Sequence, residues 1–325
     1  MVSRPIVIVL GAADDDRPPS IEPAIELADL RFVPDGDALA DAIVDADALF
    51  FWRAQKAWVE EAFGRAARLR WIQSASDGVD GLLFPALVAS DVTVTNARGV
   101  FEDPIAEWVI AAMGAFVTGL HATIADQVRA GGWHDGRHRE RLAGQRLVVV
   151  GPGPIGRATA VRALALGMTV EAVGRSARGD EVLGVVHAPD GLHDALGRAD
   201  HVLDALPLTD ATRRLFDAKA FGAMRPTARF YNVGRGGTVD ENALTDALRD
   251  RTIAGAALDV FEQEPLPPTS PLWTMPNVIV SPHICGDFEG WEEAVVGVFV
   301  DNLRRFASGQ SLRNPVDAAA GFGVG

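Results

Sequence analysis

Three stretches of the chain end apolar, strand-like runs in residues suited to proton and carboxylate chemistry. "YNVGRGGTVDENAL" carries Arg235 in a glycine-rich turn, "GAALDVFEQEPL" carries Asp259 and Glu264, and "NVIVSPHICG" carries His283. An arginine offers a planar fork of N–H donors that fits a carboxylate and its neighbouring carbonyl. A protonated histidine can give its proton to a carbonyl oxygen, and a glutamate on the far ring nitrogen would hold the tautomer and raise the pKa. Together the three suit reduction of a ketone beside a carboxylate, with hydride from a nicotinamide. Each alone has a plainer reading: Arg235 bridging carboxylates, Glu264 as a solvated loop acid, His283 as a satisfied core histidine.

The stretch "VVVGPGPIGRATA" places Gly151, Gly153 and Gly156 in G-x-G-x-x-G spacing, directly after a β-branched strand and at the start of a helix. In that setting the first glycine permits a tight turn, the second lets the backbone approach a pyrophosphate, and the third lets helix and strand pack closely. Pro152 and Pro154 have no N–H, so more of a pyrophosphate falls to the N–H groups of Ile155 and Gly156. Gly174 follows Gly156 by 18 residues, close to where an acid would hold the adenosine ribose. Glycine removes both that acceptor and its repulsion of a 2′-phosphate, while Arg175 and Ser176 suit a phosphate monoester and Arg178 adds charge. The expected cofactor is NADP, as NADPH, with NAD as the alternative; the plain reading of Arg175 is a solvated loop residue.

These residues need strand ends to hold them. Over the first hundred residues, short β-branched runs ("PIVIVLG", "ALFFW", "LRWIQSA", "VTVTNA") alternate with helical stretches, the mark of βαβ units and a parallel sheet. A second series, "QRLVVVG", "MTVEAVG", "HVLDALPLT", "ARFYNVG", "IAGAALDVF" and "NVIVSPH", supplies six strands for a doubly wound dinucleotide domain. Between the two lies "DPIAEWVIAAMGAFVTGL", a helix expected from Asp103 as N-cap and Pro104 at the first position, apolar on most sides and so buried between lobes or subunits. A last helix, "FEGWEEAVVGVFVDNLRRFASG", stops at Gly309, and the glycine-rich tail "AAAGFGVG" is expected to fray. No internal repeat is visible.

Composition narrows the partners. The chain has 325 residues, 48 % of them hydrophobic, enough for a sizeable core and about two domains. Thirty Lys and Arg against 44 Asp and Glu give a formal charge of −14, which repels nucleic acid and anionic membranes. One cysteine, Cys285, allows no internal disulfide, and with no base or thiolate-stabilising pair beside it reads as packing. The N-terminal apolar run is too short for a signal peptide or a membrane span, so a cytoplasmic location is expected, and no metal enters the reading.

The chain resembles the D-isomer-specific 2-hydroxyacid dehydrogenase family, which includes glyoxylate/hydroxypyruvate reductases. The resemblance runs through "WIQSASDGVDGL", "VTNARGVF", the glycine loop, "LPLTDATRRLF", "NVGRGGTVDENAL", "AALDVFEQEPL" and "SPHICG". It implies α/β architecture with two doubly wound parallel-sheet lobes: a flavodoxin-like catalytic domain, 1–98 plus 285–325, and an inserted Rossmann cofactor domain, 99–284. The active site would lie in the cleft between them, and subunits would form homodimers through the long apolar helix.

It further implies Arg235, Glu264 and His283 as the catalytic set and Asp259 near the nicotinamide. The turn Ser76, Asp77 and Gly78 would bind the substrate carboxylate with Arg235, and Asp77 stands where a small or apolar residue is usual. Its charge would select against anionic substrate extensions, or simply face solvent. Pro207, Thr209 and Thr212 resemble the loop beside the cofactor ribose; Thr212 reads equally as a helix cap. Pro154, Val233 and Gly286 complete the expected cofactor contacts. The implied reaction is reduction of small 2-oxo acids to D-2-hydroxy acids. The alternatives are a dinucleotide-sensing scaffold of the corepressor type and oxidation of formate or phosphite, although "SASDGVD" lacks the lysine expected for phosphite.

Overall fold

A computed structural model describes residues 4–128, 139–318 and 322–323, and the chain divides into two compact units, Met1–Phe101 with Phe288–Gly325, and Glu102–Asp287. The first unit opens with β1 (Ile6–Leu10), an unbroken apolar run buried from Val7 onward, as a strand covered on both faces must be. There follow α1 (Glu22–Leu27), β2 (Asp29–Val33), α2 (Gly36–Ala42), β3 (Ala48–Phe51), α3 (Lys56–Ala62), β4 (Trp71–Ser74), α4 (Pro85–Val88) and β5 (Thr93–Thr95). The sheet is parallel in the order β2-β1-β3-β4-β5, the flavodoxin-like order. β2 lies in no stretch that the sequence marks as a strand. It is an edge strand in which Asp29 and Arg31 interrupt the apolar pattern, and Arg31 is paired with Asp45 at 2.6 Å.

The second unit begins with α5 (Glu102–Thr118) and α6 (Leu120–Val128). α5 starts one residue before Asp103, so Asp103 is a first-turn acid rather than the cap, and it pairs with Arg162 at 3.0 Å. The long helix also ends early: Gly119 at φ 72° breaks it, and α6 leaves at 77°. No single helix among the described residues is long and apolar enough to cross a membrane. Seven residues of α5, from Ile105 to Val117, are buried, and the helix packs along α7 (Pro154–Ala165).

The unit's sheet contains β6 (Arg146–Val150), β7 (Thr169–Val173), β8 (Arg178–Asp180), β9 (Gly184–His187), β10 (His201–Asp204), β11 (Arg229–Asn232), β12 (Gly255–Leu258) and β13 (Val278–Val280). Its order is β13-β12-β11-β10-β6-β7-β9-β8, parallel except for the β8–β9 hairpin. The six expected strands are all present; the hairpin is an addition, too short and polar to show as a period. α8 (Leu192–Leu196), α9 (Ala218–Ala223) and α10 (Glu241–Arg249) complete the unit's helices among the described residues.

The chain then returns to the first unit as α11 (Trp291–Ala307), ending two residues before Gly309 at φ 69°. Phe299 of α11 stacks on Phe50 with ring centroids 4.3 Å apart, and Asn302 Nδ2 donates to Gln73 Oε1 at 2.9 Å. β14 (Val316–Asp317) and β15 (Phe322–Gly323) pair antiparallel, where the tail was expected to fray; its residues 319–321 and 324–325 lie outside the described residues.

Candidate active site

The strands β11, β12 and β13 are neighbours, so the three polar stretches leave the sheet side by side at its carboxyl ends. Asn232, the last residue of β11 and 1 % exposed, shapes the turn that follows. Its Oδ1 accepts from Gly234 N–H at 3.0 Å and its Nδ2 donates to the Arg235 carbonyl at 3.2 Å. The next residue, Gly236, has no room for a side chain: a Cβ there would lie 1.8 Å from the Phe261 carbonyl carbon. That backbone contact sets the arginine turn against the loop that leads from β12 to Glu264.

Beneath the turn lies a buried acid. Thr238 Oγ1 stands 2.5 Å from Asp204 Oδ2 and 2.6 Å from the Arg235 carbonyl oxygen. A hydroxyl has one proton, and the carbonyl can only accept. Both contacts are hydrogen bonds when Asp204 is protonated, donating to Thr238, which donates to Arg235. Complete burial pushes the Asp204 pKa up to about 7, so the neutral acid is accessible near neutrality.

Glu264 and His283 form the pair the sequence predicts. His283 Nδ1 donates to Glu264 Oε2 at 2.7 Å, and Glu264 Oε1 accepts from Phe261 N–H at 2.9 Å. The bond to Glu264 lifts the histidine pKa above its ordinary value; partial burial and the charge of Arg235 oppose the rise. Burial alone would raise the Glu264 carboxyl, but the bonds from His283 and Phe261 outweigh it and hold it below the usual range. The histidine side chain is half exposed, with Nε2 free of any such bond to Glu264. A protonated imidazole anchored at Nδ1 is suited to deliver a proton from Nε2.

Asp259, fully buried, holds the histidine's backbone. Its carboxylate accepts from Ile284 N–H at 3.0 Å, from Cys285 N–H at 3.2 Å and from the Ser281 hydroxyl. His283 itself sits at φ 58°, a conformation that side chains other than glycine's seldom adopt. Cys285 is buried, and burial pushes its thiol pKa well above the ordinary value, so it stays a packed thiol.

The glycine loop lies between β6 and α7, at the point where the sheet reverses direction between β6 and β10. Gly151 has φ 99°, and a Cβ on it would lie 2.7 Å from the Ala205 carbonyl at the end of β10. Gly153 caps α7, and a Cβ there would meet nothing within 4 Å, so its lack of a side chain leaves open space. Gly156 packs on Val149 Cγ1, 2.6 Å from where its Cβ would be. Tight turn, open approach and close helix packing are what a pyrophosphate loop needs, and the residues present fit a dinucleotide.

Gly174 directly follows β7, and Arg175 and Ser176 behind it are exposed. The β8–β9 hairpin that follows is pinned to α7 by Arg157 and Asp180, 2.7 Å apart. After β10, the Pro207–Thr212 loop is tied to itself: Thr212 Oγ1 donates to the Pro207 carbonyl at 2.6 Å and accepts from Thr209 N–H at 2.8 Å. Thr212 therefore caps no helix. Val233 is buried, its N–H donating to the Asp204 carbonyl at 3.1 Å, and Gly286 follows the Asp259-bound turn.

Ser76, Asp77 and Gly78 belong to the other unit, just past β4. Asp77 does not simply face solvent: Asn96 Nδ2 donates to its backbone carbonyl at 2.7 Å and to its Oδ1 at 3.0 Å. The carboxylate thus helps fix its own turn.

The residues that sequence reading passed over are Asp204, Asn232, Thr238 and Ser281. All four are small polar residues, three of them at or just past strand ends and Thr238 in the turn that follows β11. Only Asn232 offered a signal, a side-chain amide immediately before a glycine turn.

A parallel sheet whose reversal point carries this loop, with a glutamate-paired histidine at its far strand ends, is the build of an NAD(P)-dependent oxidoreductase. A family model described as "D-isomer specific 2-hydroxyacid dehydrogenase, NAD binding domain" matches residues 110–285. The chain belongs to that family. It is similar to a glyoxylate reductase of Korarchaeum cryptofilum, 32 % identical over 312 residues, 93 % of this chain and 88 % of that one. A glyoxylate/hydroxypyruvate reductase B of Pectobacterium carotovorum is 30 % identical over 325 residues, covering 97 % and 98 % of the two chains. Among solved structures, the NADPH-dependent glyoxylate/hydroxypyruvate reductase of Sinorhizobium meliloti, in complex with NADP and sulfate, has a TM-score of 0.81. It is 27 % identical, over 98 % of this chain and 100 % of that one.

Proposed function

We propose that the protein reduces small 2-oxo acids of the glyoxylate and hydroxypyruvate type to D-2-hydroxy acids, with NADPH preferred over NADH. The observation that carries this reading is the His283–Glu264 pair, a histidine raised in pKa with Nε2 left to face a substrate. The names of the similar reductases support the substrate class.

In this reading Arg235 takes the substrate carboxylate and its adjacent carbonyl in its fork of donors, and so aims the carbonyl carbon. His283 gives its proton to the carbonyl oxygen as the alkoxide charge develops, and Glu264 stabilises the cation before transfer. Asp259 acts through the backbone, holding His283 in its left-handed conformation. The bound nicotinamide supplies the hydride. Gly151, Gly153, Ile155 and Gly156 would hold the pyrophosphate, with Pro154 at the first helical position. Gly174, Arg175 and Ser176 would hold the 2′-phosphate, and the Pro207–Thr212 loop, Val233 and Gly286 the nicotinamide half.

The active form is proposed to be a homodimer, supported by the exposed apolar residues Leu120, Ile124 and Val128 of α6. Sedimentation velocity reads this directly, and a monomer at micromolar concentration would refute it.

The functional test is a steady-state panel of glyoxylate, hydroxypyruvate, pyruvate and phenylpyruvate, each with NADPH and NADH. The expected result is fastest oxidation of NADPH with one of the first two acids. No oxidation of either cofactor with any of them would refute the reading.

A further inference from the structure

Gly174 is not a glycine for the sake of its backbone, because its φ lies outside the left-handed region. It is a glycine for want of space. A Cβ at this position would lie 2.8 Å from Pro152 Cγ and 3.3 Å from Pro152 Cδ, with Val186 Cγ1 at 3.2 Å. The first distance is below what carbon atoms tolerate, and both walls are short side chains with little freedom to withdraw. The proline ring is closed onto its own backbone, with φ fixed near −65°. Its preceding residue, Gly151, is held against the Ala205 carbonyl. Val186 is fully buried in β9, in register with Ala172 of β7 and Arg178 of β8.

We propose that Pro152 is a specificity-determining residue of the cofactor site: its ring occupies the volume that any side chain at position 174 would need, and so excludes a ribose-binding carboxylate from the end of β7. The proposal rests on the reading of that strand end as the 2′-phosphate site. It adds that the absent acid is a consequence of the glycine loop on the neighbouring strand. Two residues 22 apart in sequence are one steric unit. The proline thus has an effect beyond its missing N–H, since it keeps a carboxylate out of position 174, next to Arg175 and Ser176.

Two measurements test it. In the absence of cofactor, thermal unfolding is compared for wild type, Gly174→Ala, Pro152→Ala and the double variant. Gly174→Ala should lower Tm by about 5 °C in the wild-type background and by much less in the Pro152→Ala background, because overpacking is relieved when Cγ and Cδ are gone. Additive effects would overturn the proposal. Kd values for NADPH and NADH, with kcat/KM for each, are then measured for Gly174→Asp and Pro152→Ala/Gly174→Asp. The single variant should lose about tenfold or more with both cofactors, and the double should regain NADH and prefer it. Equal gain of NADH by the single variant would overturn the role of Pro152 while leaving the strand-end reading intact. A wild type that prefers NADH would overturn the strand-end reading itself, and the cofactor role of Pro152 with it; the Tm comparison reads the steric coupling in either case.

Discussion

The backbone carbonyl of Asp259 accepts a hydrogen bond from His283 N–H at 2.9 Å, and the carboxylate of the same aspartate binds the next two N–H groups, those of Ile284 and Cys285. One buried side chain therefore holds the peptide on which the histidine sits. Asp259→Ala would leave buried donors unmatched at about 1.5–3 kcal/mol each, and free His283 to leave φ 58°. The expected outcome is a loss of about 3 kcal/mol in urea unfolding and a fall in kcat of about tenfold or more with residual cofactor binding. Unchanged kcat in a folded variant would remove Asp259 from this role.

Reduction needs the protonated imidazole, so its pH profile should follow His283. Because Glu264 raises that pKa above 6.5, kcat/KM for reduction should hold through neutral pH and decline as pH rises through the raised value. Glu264→Gln removes the charge that favours the imidazolium. The decline should then move to lower pH, and activity at pH 7.5 should fall more than activity at pH 6. A profile that keeps its midpoint would dissociate the pair from catalysis.

The buried Asp204 predicts a stability effect of opposite slope to an ordinary ion pair. Between its ordinary value of 3.8 and its folded value of about 7, the folded protein keeps a proton that the unfolded chain has released. Raising pH through this window therefore weakens folding, by up to about 1.4 kcal/mol per pH unit. Asn in its place accepts from Leu206 N–H and donates to Thr238 as the neutral acid does. The excess of the Asp204→Asn unfolding free energy over that of the wild type should be smallest toward pH 4 and grow as pH rises to about 7. Parallel stability curves would show that Asp204 does not titrate in this range.

Two substitutions separate substrate capture from proton delivery. Arg235→Lys loses the planar fork and should raise KM for the 2-oxo acid while leaving the Kd for NADPH near its wild-type value. His283→Ala should lower kcat by about 10² or more with both Kd and KM little changed. If Arg235→Lys weakened only cofactor binding, its assignment to the carboxylate would be wrong.

What sequence alone decides here is local. The spacing Gly151, Gly153, Gly156 after a β-branched run determines a strand, a turn and a helix start, because each glycine meets a constraint within a few residues. The apolar runs determine six strands of the larger sheet, and the residue types at their ends determine that Arg235, Glu264 and His283 can serve hydride chemistry. The order of the strands is decided only in three dimensions, and it alone makes β11, β12 and β13 neighbours. Edge elements such as β2 and the β8–β9 hairpin escape the sequence because short or charged strands carry no clear period. The raised pKa of Asp204 and the Pro152–Gly174 contact escape it for a different reason. Burial raises a pKa, and one ring forbids one side chain, only once segments distant in sequence are packed together, and no local pattern encodes that packing.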